Sequence, residues 1–288
     1  MERRVVRRSN SYFVAPDGTR LFRRSWLPSK PQRTLALVHG FAEHSGRYDH
    51  VGAWFATRDF AVHAYDHRGH GRSEGERGHV DSFSQLLDDL ESFLGLVRGE
   101  HSEAPLVLMG HSLGGLVVAA LLAERKPDLL CAAISAPPLE LGPGVSRMRL
   151  RLARLLRRFR PQLRLGAGIA SSDLSRDVEV ARAYDDDPLV FKRATTSFAV
   201  EMLDTVERIG SAGRHVQMHE GLLEIIRLGA VILAVRGDVA VGDLGRFLHH
   251  VAELAGELET ARRLVHARGL DIQRRPAQRR PRQARDHA

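Results

Sequence analysis

The sequence predicts an α/β protein built on a doubly wound, mainly parallel sheet, and three observations lead there. Continuous apolar runs of strand length, at residues 34–38 and 106–109, have the pattern of strands buried on both faces. Segments of helical period alternate with them, the clearest aligning Leu86, Leu87, Leu90, Phe93, Leu94 and Val97 on one face. One of the apolar runs also passes into a helix-forming stretch through Gly110-His-Ser-Leu-Gly114, a serine framed by glycines. Strands and helices alternating at these lengths build right-handed crossover units, with chemistry at the strands' carboxyl ends.

Taken in order, residues 11–14 and 19–26 read as two strands joined at Asp17-Gly18, a dipeptide that favours hairpins. Residues 34–38 form the first buried strand, which ends at His39-Gly40 and opens into a loop up to Tyr48. A helix over 48–58, a strand over 61–66, a helix over 83–97 and the strand at Leu106 follow. After the serine comes a long apolar helix, and residues 131–136 form a further strand.

Composition is that of a soluble globular protein of 288 residues, long enough for a large core. The single cysteine, Cys131, lies in an apolar run and reads as a buried, inert thiol. The arginines near the N-terminus are followed by no apolar leader, and no run approaches the ~20 residues of a membrane span, so a cytoplasmic protein is expected. The net charge of +8 comes almost wholly from arginine, with Lys30, Lys126 and Lys192 the only lysines. The basic residues concentrate at 147–164 and after Gln273 without interleaved aromatics, so no nucleic-acid partner is expected. No metal-ligand spacing or phosphate loop stands out, so no cofactor and no metal are expected.

Gly110-His-Ser-Leu-Gly114 fits G-x-S-x-G, in which small residues on either side of a serine allow a turn tight enough to push its hydroxyl out at the strand's end. Ser112 is therefore a candidate nucleophile. The alternative is a serine that only satisfies a backbone N–H at a helix start. A serine hydroxyl needs a histidine to take its proton and a carboxylate to orient that histidine.

His39-Gly40, Glu43-His-Ser-Gly-Arg-Tyr48, Asp66-His-Arg-Gly-His-Gly-Arg-Ser73 and Gly110-His-Ser-Leu-Gly-Gly115, in this order and spacing, resemble the α/β-hydrolase superfamily, most closely its monoacylglycerol lipase and lysophospholipase branch. The likeness runs over residues 12–208, since residues 174–190 resemble the cap of those lipases. It implies an α/β-hydrolase fold with a helical cap insertion, Ser112 as nucleophile, and an oxyanion hole formed by the backbone N–H groups of Phe41 and Leu113. The N–H groups of a helix's first turn are unpaired and lie at its positive end, which suits the second of these donors. Asp66, Arg68, Gly69, Gly71 and Ser73 are expected to fix a tight loop, and His39, His67 and His111 to pack near the site.

Domain organisation follows as core over 1–138, cap over 139–208, a divergent C-terminal part of the core over 209–270 and a disordered basic tail over 271–288. The first cap segment, ending at Pro161, places Met148, Leu152, Leu155, Leu156 and Phe159 on one helical face and arginines on most of the rest, and no acidic residue is expected to offset them. Such a helix either lies in a membrane interface, giving a peripheral membrane contact, or packs its stripe over the site. Either way an apolar cap implies an acyl chain, and hence a single-chain lipid ester as substrate. The oligomeric state is not legible.

The last third departs from the family. Its members carry an acid three residues after a strand-ending glycine, whereas here residues 230–237 form a strand ending in Gly237 and Ala240 occupies that place. Asp238 is the best available carboxylate, with a turn role as the alternative, and Asp243 lies further on. His266 is at a suitable distance, while His249 and His250 fall in an expected helix over 244–259 and His215 and His219 precede the strand. From about Ser211 the arginine-, alanine- and glycine-rich sequence is what a shifted reading frame in a GC-rich gene would yield. Three readings stand: a serine ester hydrolase using Ser112, Asp238 and His266; a hydrolase-like protein lacking a complete triad, with lipid binding left to it; and a related peptidase or thioesterase.

Overall fold

The first two strands, β1 (Val6–Val14) and β2 (Arg20–Pro28), pair antiparallel along their whole length across the Asp17-Gly18 turn. The protein is described here by a computed structural model, which covers residues 5–139, 147–166, 171, 178–215 and 234–235. β2 delivers the chain to the edge of a parallel sheet. There it pairs antiparallel with β4 (Phe60–Tyr65), which pairs parallel with β3 (Arg33–Val38). β5 (Leu106–His111), β6 (Cys131–Ser135) and β9 (Ala234–Val235) add in parallel on the other side of β3, giving the order β1-β2-β4-β3-β5-β6-β9. The chain therefore leaves β3 in one direction and returns on its other side. That reversal opens a crevice at the carboxyl ends of β3 and β5.

Strand periodicity explains why the sheet is buried on both faces. In β3, Leu35 and Leu37 enter one apolar cluster while Ala36 and Val38 enter another. Val107 and Met109 of β5 alternate with Leu106 and Leu108 in the same way. One face is covered by α1 (Asp49–Ala56), through Val51, Phe55 and Ala56. The other carries α2 (Ser84–Glu100) and α3 (Leu113–Arg125), and the six apolar positions expected on one side of α2 are all buried there.

The cap begins with α4 (Arg147–Phe159) and continues through β7 (Arg164–Gly166), α5 (Val178–Asp185) and β8 (Arg193–Thr195), with β7 and β8 paired antiparallel. α6 (Thr196–His215) then returns the chain to the sheet: Phe198 and Val206 join the cluster of α2 and α3. Here one of the two alternatives for the α4 stripe falls away and one expectation changes. The stripe on α4 does not pack inward, because Met148, Leu152, Leu155 and Phe159 are all more than half exposed and Leu150 is the buried leucine. Nor are the α4 arginines without acidic partners. Arg154 pairs with Asp204 and Glu207 of α6, and Arg157 with Glu201. Those carboxylates lie about fifty residues downstream, beyond any helix-local pattern. The expected helix over 244–259 and the tail over 271–288 lie outside the described residues, as does the part assigned to 209–270 apart from the end of α6 and β9.

The loop after β4 is locked by charge. Arg68 donates from Nε and Nη2 to both oxygens of Asp89 on α2, each at 2.7 Å, and from Nη1 to Asp17 in the first hairpin. Burial pushes the Asp89 carboxyl above the usual aspartate value, with the guanidinium opposing that push. Arg68→Met should leave this carboxyl buried without its partner. The expected loss of about 3–5 kcal/mol can be read from urea denaturation, and a variant as stable as the parent would refute the lock.

Candidate active site

β5 enters α3 through a single residue of unusual backbone, Ser112, at φ 51° and ψ −117°. A left-handed φ at a residue with a Cβ is strained by about 1–3 kcal/mol, so the surroundings must impose it. Here Ser112 N–H donates to Ser135 on β6 at 2.9 Å, and the Ser112 carbonyl accepts from Leu116 at 3.0 Å. The flanking glycines are required by space. A Cβ on Gly110 would meet the Gly114 carbonyl carbon at 2.6 Å, and one on Gly114 would lie 2.6 Å from the His39 carbonyl oxygen and nearer still to that of Val38. The Ser112 side chain makes no capping bond to α3, so the reading of a serine that caps a helix is not realised, and the residue is partly exposed.

The loop after β3 closes against this turn. A Cβ on Gly40 would lie 3.4 Å from that of Ser112, and Phe41 is the next residue. Leu113 opens α3, where the first N–H groups have no partner within the helix and face its positive end. Glu43 shapes the loop: Oε1 accepts from Gly40 N–H at 2.7 Å and from Tyr48 Oη at 2.6 Å, and Oε2 accepts from Arg47 at 3.2 Å. Asp66 braces it from below by accepting from the backbone N–H groups of Ser45 and Arg72, each at 2.8 Å. These are the loop-fixing bonds expected of Asp66, and Glu43 performs the same task, a role its sequence motif does not reveal.

Phe41 contacts the rings of His70, Phe191 and Phe198, so the cap reaches the loop directly. His44 bonds Asp187 at 2.8 Å, and Phe191 N–H donates to the Ala42 carbonyl at 3.2 Å.

The nearby histidines form a buried network. His39 Nε2 accepts from the His67 N–H at 3.0 Å, so its Nδ1 donates to the Gly40 carbonyl at 2.7 Å. His67 Nε2 lies 3.2 Å from the His39 carbonyl, and Tyr65 Oη 3.2 Å from its Nδ1. Burial holds both rings well below the ordinary histidine value and lowers His70 to about 4. They are neutral, and the rings of His39, His67 and His70 pack on one another. His111 Nδ1 lies 3.2 Å from Ser135 Oγ. Cys131 is buried and its thiol is pushed up to about 12, as an inert thiol should be. The structure thus brings together Ser112, Leu113 and the loop carrying Phe41. Asp238 and His266 lie outside the described residues.

A sequence profile described as serine aminopeptidase, S33 matches residues 29–222. The chain is 35% identical over 184 residues to the monoacylglycerol lipase of Mycolicibacterium smegmatis, a match covering 64% of this chain and 65% of that protein. It is also 35% identical over 204 residues to the monoglyceride lipase of Rattus norvegicus, covering 70% and 67%. The match thus spans about two thirds of the length of these relatives. Among solved structures, the monoacylglycerol lipase of Paleococcus ferrophilus superposes with a TM-score of 0.65 at 25% identity, over 88% of this chain and 99% of that one.

The buried imidazoles set an acid limit on the fold. Their folded pKa values are depressed, so below the unfolded value near 6.5 the unfolded chain takes up protons that the folded one refuses. Stability should be complete above that pH and fall by about 1.4 kcal/mol per pH unit for each such histidine below it. The urea midpoint should therefore drop clearly between pH 7 and pH 5. An unchanged midpoint would contradict the neutral network.

Proposed function

Because the chain belongs to the serine aminopeptidase S33 family and to the monoacylglycerol lipase-like branch of the α/β-hydrolases, we propose that it is a serine carboxylic-ester hydrolase that cleaves monoacylglycerols or lysophospholipids. The observation that carries this reading is Ser112 in its strained, glycine-framed turn at the crevice, beside the start of α3. Its Oγ attacks the ester carbonyl and loses its proton to a histidine. The alkoxide so formed collapses, expels the alcohol, which takes that proton, and leaves an acyl group on Ser112 for water to remove. The N–H groups of Phe41 and Leu113 hold the negative oxygen, each donor contributing on the order of 3 kcal/mol to the transition state. His266 supplies the base and Asp238 orients it.

The lipid substrate is supported by the cap. Phe41, Phe191 and Phe198 line the junction of cap and loop with aromatic surface suited to an acyl chain. The outward stripe of Met148, Leu152, Leu155 and Phe159, with exposed Arg151 and Arg158 on the same helix, supports a peripheral contact with an anionic membrane from which such a lipid would be drawn. Among the described residues, no helix is long and apolar enough to cross a membrane.

A second reading, a hydrolase-like chain without a complete triad, is favoured by one observation. The family match ends at residue 222, before both Asp238 and His266. Labelling by a fluorophosphonate ester, which reacts rapidly only with a base-activated serine, separates the two. The parent should label rapidly and Ser112→Ala should not, and His266→Ala and Asp238→Ala should each slow labelling by orders of magnitude. Absence of labelling in a folded parent would select the second reading.

A further inference from the structure

Away from Ser112, on the α2 side of the sheet, two histidines and a glutamate converge from distant parts of the chain. His63 is fully buried in the middle of β4, and α2 ends at Glu100 with His101 as its C-terminal cap. The rings of His63 and His101 are 5.1 Å apart between centroids, and His63 Nδ1 is 4.0 Å from Glu100 Oε2. One ring nitrogen of each histidine and one carboxylate oxygen all lie within 4.8 Å of one another. We propose that His63, Glu100 and His101 form a binding site for a divalent transition cation of the zinc type, separate from the serine site and without a part in its chemistry.

Three features support this assignment. The Nε2 atoms of both His63 and His101 are buried without a hydrogen-bond partner among the described residues, a state that favours a ligand able to accept a lone pair. Two imidazole nitrogens and a carboxylate oxygen are a donor set that zinc, nickel and cobalt accept, with a fourth position left to water. The donors are also oriented from behind. Arg23 of β2 donates to both oxygens of Glu100, at 2.6 and 3.1 Å, and Ser25 Oγ lies 2.8 Å from His63 Nδ1. The Arg23 cation opposes a metal by charge, and by fixing the carboxylate it spares the site the cost of ordering it.

Sequence spacing could not reveal this set, since His63 lies 37 residues before Glu100 and is joined to it only by the packing of α2 on β4. A cation there would tie the end of α2 to β4 and stabilise the folded chain by mass action.

The test is a zinc titration of the chelator-treated full-length protein, followed by calorimetry and by thermal melting. One Zn2+ per chain should bind and raise the melting temperature. His101→Ala and Glu100→Gln, both at positions that reach the surface, should each weaken that binding by about tenfold or more. Ser112→Ala should bind zinc like the parent, which keeps this result independent of the proposed hydrolysis. Absence of binding at millimolar zinc overturns the proposal. So does binding that His101→Ala leaves unchanged, because the cation would then sit on other histidines.

Discussion

The close approach of the first turn of α3 to the end of β3 is the constraint on which the remaining architecture rests. With no side chain on Gly114, the helix start sits against the carbonyls of Val38 and His39, and with none on Gly110 the chain can turn back over itself. The strain at Ser112 is sustained because both of its backbone groups are bonded, one to β6 and one into α3. The same approach brings the first N–H of α3 and the loop of Phe41 to one crevice. In the proposed reaction the Ser112 hydroxyl would thereby stand beside donors whose geometry is set before any substrate arrives, which is the condition under which such donors are effective.

The loop after β3 is held from three directions. Glu43 ties its start to Tyr48 and Arg47, Asp66 ties it to the loop after β4, and the cap reaches it through Asp187 and Phe191. Arg68 in turn fixes the loop after β4 to α2 and to the first hairpin. Local precision at the crevice is thus inherited from ion pairs and buried imidazoles further off. This distribution also makes the site sensitive to acid at groups that take no part in chemistry.

Much of this was legible in the sequence, for identifiable physical reasons. The strands at 34–38 and 106–109 are buried on both faces, so their apolar runs are unbroken, and the turn at Ser112 needs glycines that no other residue can replace. α2 showed its six buried positions because its other side meets water. What escaped was long-range. α6 alternates apolar and acidic residues because one side packs on the core while Glu201, Asp204 and Glu207 take up α4 arginines, and only the fold shows which partners those are. The outward orientation of the α4 stripe depends on the same pairing. The three-residue β7 and β8 carry too little pattern to be read, and Glu43 looked like one residue among several in a motif.

The burial of Cys131 has a practical side. As the chain's only cysteine, with a thiol that stays protonated up to strongly alkaline solution, it will not compete for thiol-directed reagents in neutral buffer. A cysteine placed on the exposed ridge of α4, for instance by Leu155→Cys, becomes the chain's one addressable attachment point while the native residue stays in place. A fluorophore there would watch the outer surface of the cap, and a spin label would gauge its depth in a bilayer, without any background from the rest of the molecule.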